Sequence, residues 1–386
     1  MPLLNSAVEM QDEVAGWRRH LHANPEILFD VVNTAAFVAA KLRDFGCDEV
    51  VTGIGRTGVV GLIRGRLGDG RVVGLRADMD ALPIQEATNL PHASTTPGKM
   101  HACGHDGHTA MLLGAARHLC ETRTFRGAVA VIFQPAEEGG GGGREMVKDG
   151  MMERFSIGEV FGLHNMPGLP LGEFAIRKGG IMAATDMFDI IIAGKGGHAA
   201  MPHLTVDPVM VGAQMVTALQ TIVSRSTDPV SSLVVSVTCF NAGDAHNVIP
   251  QTAQLRGTFR TLDPAVREEA ERRIRHVAEN VAGTFGATAQ VTVIRGYPVT
   301  MNHSDQTDFA IEVASAVSGR TKVNSEVAPV MGGEDFSYML EERPGAFIFM
   351  GNGDTAFLHH PEYDFNDDAI PHGISYWVTL AERALA

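Results

Sequence analysis

Between Asp186 and Ile294 the hydrophobic pattern follows an order unlike that of the sequence on either side, and this constrains the fold more than any other feature. Asp186–Ala193 alternates as a half-buried strand does. A helix is expected from Asp207 to Ser224, then strands near Leu233–Phe240 and Ala253–Arg260. A second helix runs from Pro264 to about Phe285. Asp263 is its N-cap, proline sits in its first turn, and Glu268 and Glu269 follow. A last strand covers Ala289–Ile294. The order β-α-β-β-α-β is the split motif of ferredoxin-like domains.

The flanking sequence reads as helices and strands in alternation. Val14, Trp17 and Leu21 share a helical face that Pro25 ends, and Val38, Leu42 and Phe45 share another that Gly46 stops. Strands are expected at Gly58–Ile63, Val72–Arg76 and Ala128–Phe133, with a helix from Gly107 to Cys120. After Pro298 come a helix near Thr307–Val317, a strand at Phe347–Met350 and a closing helix from Asp367. The expected fold class is α/β: a mixed-sheet, metallopeptidase-like catalytic domain of residues 1–183 and 297–386, with a ferredoxin-like domain inserted at 184–296.

Composition excludes several roles. Of the 386 residues, 20% are charged and the net charge is −14, which disfavours nucleic acid or an anionic membrane as partner. No apolar run approaches the ~18 residues of a membrane span. Met1 to Ser6 lack a basic stretch followed by an apolar core, so no signal peptide is expected. The four cysteines follow no disulfide-framework spacing, and the expectation is a reducing, cytoplasmic compartment. Cys47, Cys120 and Cys239 read as small buried hydrophobes. Gly53 to Gly58 fits a dinucleotide fingerprint, but a strand pattern follows where that fingerprint needs a helix.

The chemistry concentrates elsewhere. Met100 to His108 packs one thiol, three imidazoles and a carboxylate into nine residues. Thiolate, imidazole and carboxylate are the donors that hold zinc and its first-row neighbours. Cys103 and His105, two apart ahead of a helix, can turn toward one point. Gln134-Pro135-Ala136-Glu137-Glu138 follows a β-run and leads into five glycines. In a regular strand the two glutamates would face opposite ways, so an irregular turn at Pro135 and Gly139 must bring both to one cavity. One would bind metal and the other would take a proton from water. His164 ends the strand-like stretch Val160–Leu163, and His359-His360-Pro361 follows a glycine-rich turn. Either histidine could supply a missing ligand.

These motifs, in this order, resemble the metal-dependent aminoacylase and carboxypeptidase family, within it the hippurate hydrolase (N-acyl-L-amino-acid amidohydrolase) branch. The resemblance begins at Arg18-Arg19-His20-Leu21-His22 with Pro25-Glu26. It continues through Arg76-Ala77-Asp78-Met79-Asp80-Ala81-Leu82-Pro83, His101 to Asp106, Gln134 to Glu138, Gly162 to Asn165, Gly194 to His198, His246 to Pro250 and Gly257 to Thr261. It ends with Gly332 to Phe336 and Leu358 to Pro361.

The resemblance implies metal ligands at Cys103, His105, Glu138, His164 and His359, with His359 rather than His360 in the Leu-His-x-Pro position. It implies Glu137 as base, with His198 and Asp80 also catalytic, and Asn247, Arg260 and Gly333 at the substrate. Two divalent ions per subunit are expected, zinc or manganese first, cobalt or nickel as alternatives. The inserted domain is expected to act as a lid and to dimerise. The implied reaction is hydrolysis of small N-acyl-L-amino acids, hippurate-like or N-acetylated. The rival readings are a dipeptidase or aminopeptidase of the wider family, or a non-catalytic metal-binding protein.

Overall fold

The computed structural model describes residues 3–386; Met1 and Pro2, part of the opening stretch read above, lie outside the described residues. The chain divides into two compact units. One holds the chain through Ile181 with Met301–Ala328 and Asp335–Ala386; the other holds Met182–Thr300 and Pro329–Glu334.

The first unit is built on a mixed eight-stranded sheet. From edge to edge it runs Glu49–Ile54, Gly58–Arg64, Ala128–Gln134, Val72–Asp78, Ile157–Pro167, Gly345–Gly353, Phe174–Ala175 and Val323–Asn324. The four strands from Ala128–Gln134 to Gly345–Gly353 are mutually parallel. Strands of this kind are covered on both faces and read as continuous apolar runs. Every residue of Ala128–Gln134 is buried accordingly. The parallel order also puts four carboxyl ends on one edge, where α/β sheets form their sites. The helix His105–Thr122 is buried almost all round and packs against the closing helix Ile370–Ala384. Phe125, Phe133, Phe161 and Trp377 are fully buried in this core, each contributing about 1.5–3 kcal/mol by leaving water.

The second unit has a four-stranded antiparallel sheet in the order Leu233–Asn241, Thr252–Thr261, Ala184–Ala193, Thr288–Arg295. This is the ferredoxin-like arrangement expected from the β-α-β-β-α-β pattern. Asp263 caps the helix Pro264–Thr284 by accepting from Ala265 N at 2.7 Å and Val266 N at 3.2 Å. Its own core contains Phe188, Ile190, Ile192, Met215, Leu255, Phe259 and Ile274. Within it Arg267 forks onto both oxygens of buried Asp186 at 2.8 and 2.7 Å.

Three expectations need correction. His164 does not end its strand; Ile157–Pro167 continues through it for three more residues, because Gly345–Gly353 keeps pairing alongside. The helix expected to Ser224 stops at Thr221, and a wider π turn, Ile222–Ser226, finishes it. Cys47 and Cys239 are only half-buried, and Cys47 Sγ meets Cys120 Sγ at 3.6 Å although 73 positions separate them. Among the described residues no helix is long and apolar enough to cross a membrane.

Candidate metal centre

The carboxyl edge of the parallel strands collects the expected ligands together with the expected catalytic residues Asp80 and Glu137. Val72–Asp78 leads to Asp80, Ala128–Gln134 to Glu137 and Glu138, and Gly345–Gly353 to His359, while His164 lies in the carboxyl half of Ile157–Pro167. Cys103 stands just ahead of the helix that begins at His105. Ligand atoms of Cys103, His105 and His164 lie within 4.8 Å of one another, and so do those of Cys103, Glu138 and His359. The thiol belongs to both groups. Glu137 borders the same space, grouped with His105 and Glu138.

Local backbone geometry is bent to make this cluster. Gly104 has φ +91°, and a Cβ there would come within 2.2 Å of Asn165 Oδ1, so only glycine links Cys103 to His105 in this way. Ala136 holds φ +54° and turns both glutamates off the strand. His359 holds φ +64°, fixed by its N–H donating to Ala102 O at 2.7 Å. Left-handed non-glycine residues cost about 1–2 kcal/mol each and cluster at functional sites. The neighbouring His360 is exposed, and its Nδ1 accepts from Glu362 N at 3.1 Å. The glycine run has a local reason too: a Cβ on Gly143 would meet Asp335 O at 2.7 Å, where Gly143 N donates to Asp335 Oδ2.

The donor set fits a cation. His105 Nδ1 is engaged by Asp80 O at 2.8 Å, which turns Nε2 into the cluster, where it is buried without a hydrogen-bond partner among the described residues. Glu138 Oε1 is likewise buried without a hydrogen bond among the described residues and faces His359 Nε2 at 3.3 Å. His164 Nδ1 donates to Asn165 O at 2.6 Å, leaving the Nε2 lone pair 3.4 Å from Cys103 Sγ. Electrostatics agree. Burial, reinforced by Glu138, Glu137 and Asp78, pushes the Cys103 thiol well above its usual range, so a nearby cation is what would make it a thiolate. Burial opposes charge on His105, yet Asp78, Asp80 and Glu138 push it up to about 10, the mark of excess negative charge. Burial and the surrounding histidines hold His164 neutral, as a ligand must be.

A buried polar layer supports the cluster. Asp80 accepts from Glu137 N at 3.0 Å and Glu138 N at 3.1 Å, so its carboxylate positions both glutamates. Asp78 binds His108 Nδ1 at 2.6 Å and Arg76 Nη1 at 2.7 Å, and Arg76 reaches Asp335 at 3.1 Å. His108 Nε2 receives Asn165 N at 3.0 Å, and Asn165 Nδ2 donates to Tyr363 at 2.6 Å. Both nitrogens of His108 are therefore taken. The Arg18–His22 motif lies further back: His22 Nδ1 meets Asp106 at 2.8 Å, and Arg18 meets Asp364 and Asp367 at 2.8 and 2.7 Å. Of this layer, Asp78 and Asn165 stood in the quoted motifs without a role and Tyr363 was missed; a second aspartate two before Asp80 was the available signal.

The remaining expected residues lie in the second unit. His198 pairs with Val248 across two short strands, and Asn247 O accepts from Ala199 N at 3.0 Å, so His198 and Asn247 are neighbours. His198 Nδ1 accepts from Ala200 N at 3.1 Å, which puts the ring proton on Nε2. Arg260 faces Thr185 across the sheet and spends its hydrogen bonds on Asp186 O, Phe259 O and Thr258 Oγ1, with no carboxylate partner among the described residues. Gly333 stands against the same Thr185, whose Cγ2 a Cβ would meet at 2.4 Å.

Known proteins are similar to this chain in sequence and fold. The chain is 42% identical over 385 residues to the hippurate hydrolase of Campylobacter jejuni, covering 100% of both. It is 40% identical over 365 residues to an N-acetylcysteine deacetylase of Bacillus subtilis, covering 94% of both. The crystal structure of a Bacillus subtilis dinuclear metal-binding peptidase of the M20 family superposes with a TM-score of 0.86 at 36% identity, over 98% of this chain and 99% of that one. Residues 74–383, which carry every residue of the cluster, match the model of peptidase family M20/M25/M40, and the chain belongs to that family of metal-dependent hydrolases of amide bonds.

Proposed function

We propose that the protein is a two-metal amidohydrolase that releases an amino acid from small N-acyl-L-amino acids bearing a free carboxylate, such as hippurate or N-acetyl amino acids. The observation that carries this reading is the membership of Cys103 in two ligand groups, Cys103/His105/His164 and Cys103/Glu138/His359, with Glu137 beside them. Cys103, His105 and His164 would hold one ion and Glu138 and His359, with Cys103 close by, a second, and the ions would supply positions for water and substrate. The names of the relatives support the substrate class. Hippurate and N-acetylcysteine both carry an acyl group on the nitrogen of an amino acid whose carboxylate is free.

When bound, the ions, zinc or manganese in the first place, supply Lewis acidity and lower the pKa of water toward neutrality. Glu137 takes a proton from the attacking water and returns it to the leaving nitrogen. Asp80 holds the Glu137 backbone through its N–H and is a positioning residue. His198 donates from Nε2 to the oxyanion that develops on the carbonyl. Arg260 takes the substrate carboxylate, its guanidinium lacking a carboxylate of its own, with Asn247 and Gly333 lining that end. The test is a panel of N-acyl amino acids and their carboxamides given to metal-replete protein, with release of the free amino acid followed. Free-carboxylate substrates should turn over and the carboxamides should lose at least about tenfold in kcat/KM. Cleavage of dipeptides but of no N-acyl amino acid would favour the dipeptidase reading.

The second unit is read as a lid that also dimerises. Leu233–Asn241 and Thr288–Arg295 are edge strands of its sheet, and an open edge invites pairing with its twin. His198 then completes the partner's site. Inactive Glu137→Gln and inactive His198→Ala subunits, mixed and allowed to exchange, should regain activity, because one site per heterodimer would hold both native groups. No recovery despite proven exchange would place His198 in its own chain's site or outside catalysis.

A further inference from the structure

We propose that Cys47 and Cys120 form a redox modification site, a thiol pair that a hydroperoxide converts to a disulfide and a dithiol reductant restores. The pair lies outside the metal cluster. Cys47 sits between the helix Val32–Asp44 and the strand Glu49–Ile54; Cys120 lies in the last turn of His105–Thr122. Their Sγ atoms are 3.6 Å apart, and a disulfide needs about 2.05 Å, so closing the bond takes about 1.5 Å of side-chain and local backbone adjustment. The two segments are already held together. Arg123 donates from Nη2 to Gly46 O at 2.7 Å, from Nη1 to Asp48 Oδ2 at 2.6 Å and from Nε to Cys120 O at 3.2 Å. One guanidinium thus brackets Cys47 on both sides and grips the Cys120 backbone.

The same arrangement activates a sulfur. The hydrogen bond from Cys47 pulls the Cys120 thiol below its usual value, and the Arg123 guanidinium adds to this against the effect of burial. Thiolate character is what sets a cysteine's susceptibility to peroxide. Cys120 is 6% exposed, which restricts the oxidant to a small one, while Cys47 is half-buried. The Cys120 thiolate attacks one oxygen of hydrogen peroxide, forming the S–O bond of a sulfenic acid as the O–O bond breaks. The departing hydroxide takes up the proton that Cys120 released on becoming a thiolate and leaves as water. Cys47 sulfur then attacks the sulfenic sulfur, forming the S–S bond and displacing the hydroxyl, which leaves as a second water with the Cys47 proton. Two thiols are oxidised and one peroxide is reduced to two waters. A dithiol reverses the bond by exchange.

The experiment is titration of the metal-loaded protein with hydrogen peroxide, followed by thiol counting after denaturation and peptide mapping without reductant. Two of the four thiols should disappear together. A cross-linked peptide of Cys47 with Cys120, lighter by two hydrogen atoms than the two thiol peptides, should appear and be reversed by dithiothreitol. Closing a 73-position loop should raise the melting midpoint of the oxidised protein by roughly a few degrees. Cys47→Ser, at the half-exposed position, should abolish both the cross-link and the rise; Cys120→Ser should do the same. Persistence of all four thiols, or recovery of Cys47 and Cys120 on separate peptides as thiols or as sulfinic acids, would overturn the proposal.

Discussion

Glu137→Gln is expected to lower kcat by a factor of about 10² to 10⁴ while the metal content stays at the wild-type level. Gln has nearly the shape of Glu, so the turn set by Ala136 and the Asp80 bonds to both backbone N–H groups should persist. What disappears is the carboxylate that accepts the water proton. Glu138, His359 and the Cys103/His105/His164 group remain complete, so neither ion loses a ligand. KM should change little, because the proton transfer is needed only on the way to the transition state. Steady-state kinetics with elemental analysis of the same sample decides the matter. Near-wild-type turnover in metal-replete protein would remove Glu137 from the mechanism.

The ligand residues should separate by a metal count. Cys103→Ala removes the donor common to both groups and is expected to deplete both ions and activity by roughly a hundredfold or more. His359→Ala leaves Cys103, His105 and His164 in place and should lose chiefly one equivalent. His360→Ala, whose imidazole is already engaged with Glu362 N, should keep both. His164→Ala should deplete metal as His359→Ala does, but at the buried group. Full occupancy in His359→Ala, or loss in His360→Ala, would show that the other histidine is the ligand.

Much of this was legible because it is local in sequence. Cys103 and His105 are two apart, Glu137 and Glu138 are adjacent, and the irregular turn needed to bring both glutamates round is present as the left-handed Ala136. The β-α-β-β-α-β unit was readable from strand alternation and from the Asp263 cap, both short-range signals. What stayed hidden depends on contacts across the sheet. Asp78 meets His108 from 30 positions away, His108 meets Asn165 from 57, and Asn165 meets Tyr363 from 198. Singly, each of these looks like an ordinary polar residue. His164 appeared to end a strand because glycine and asparagine flank Leu163 and His164, yet pairing with Gly345–Gly353 carries the strand on to Pro167. Cys47 and Cys120 were read as separate apolar side chains, since nothing in their spacing signals a meeting between the end of one helix and the end of another.

The most direct test of the central claim is titration of metal-stripped protein with manganese or zinc while amino-acid release from an N-acyl amino acid is followed. The shared thiol predicts no turnover without metal, and activity that reaches its plateau only at two equivalents per chain. Turnover in the stripped protein, or no release of any amino acid at full occupancy of both positions, would contradict it.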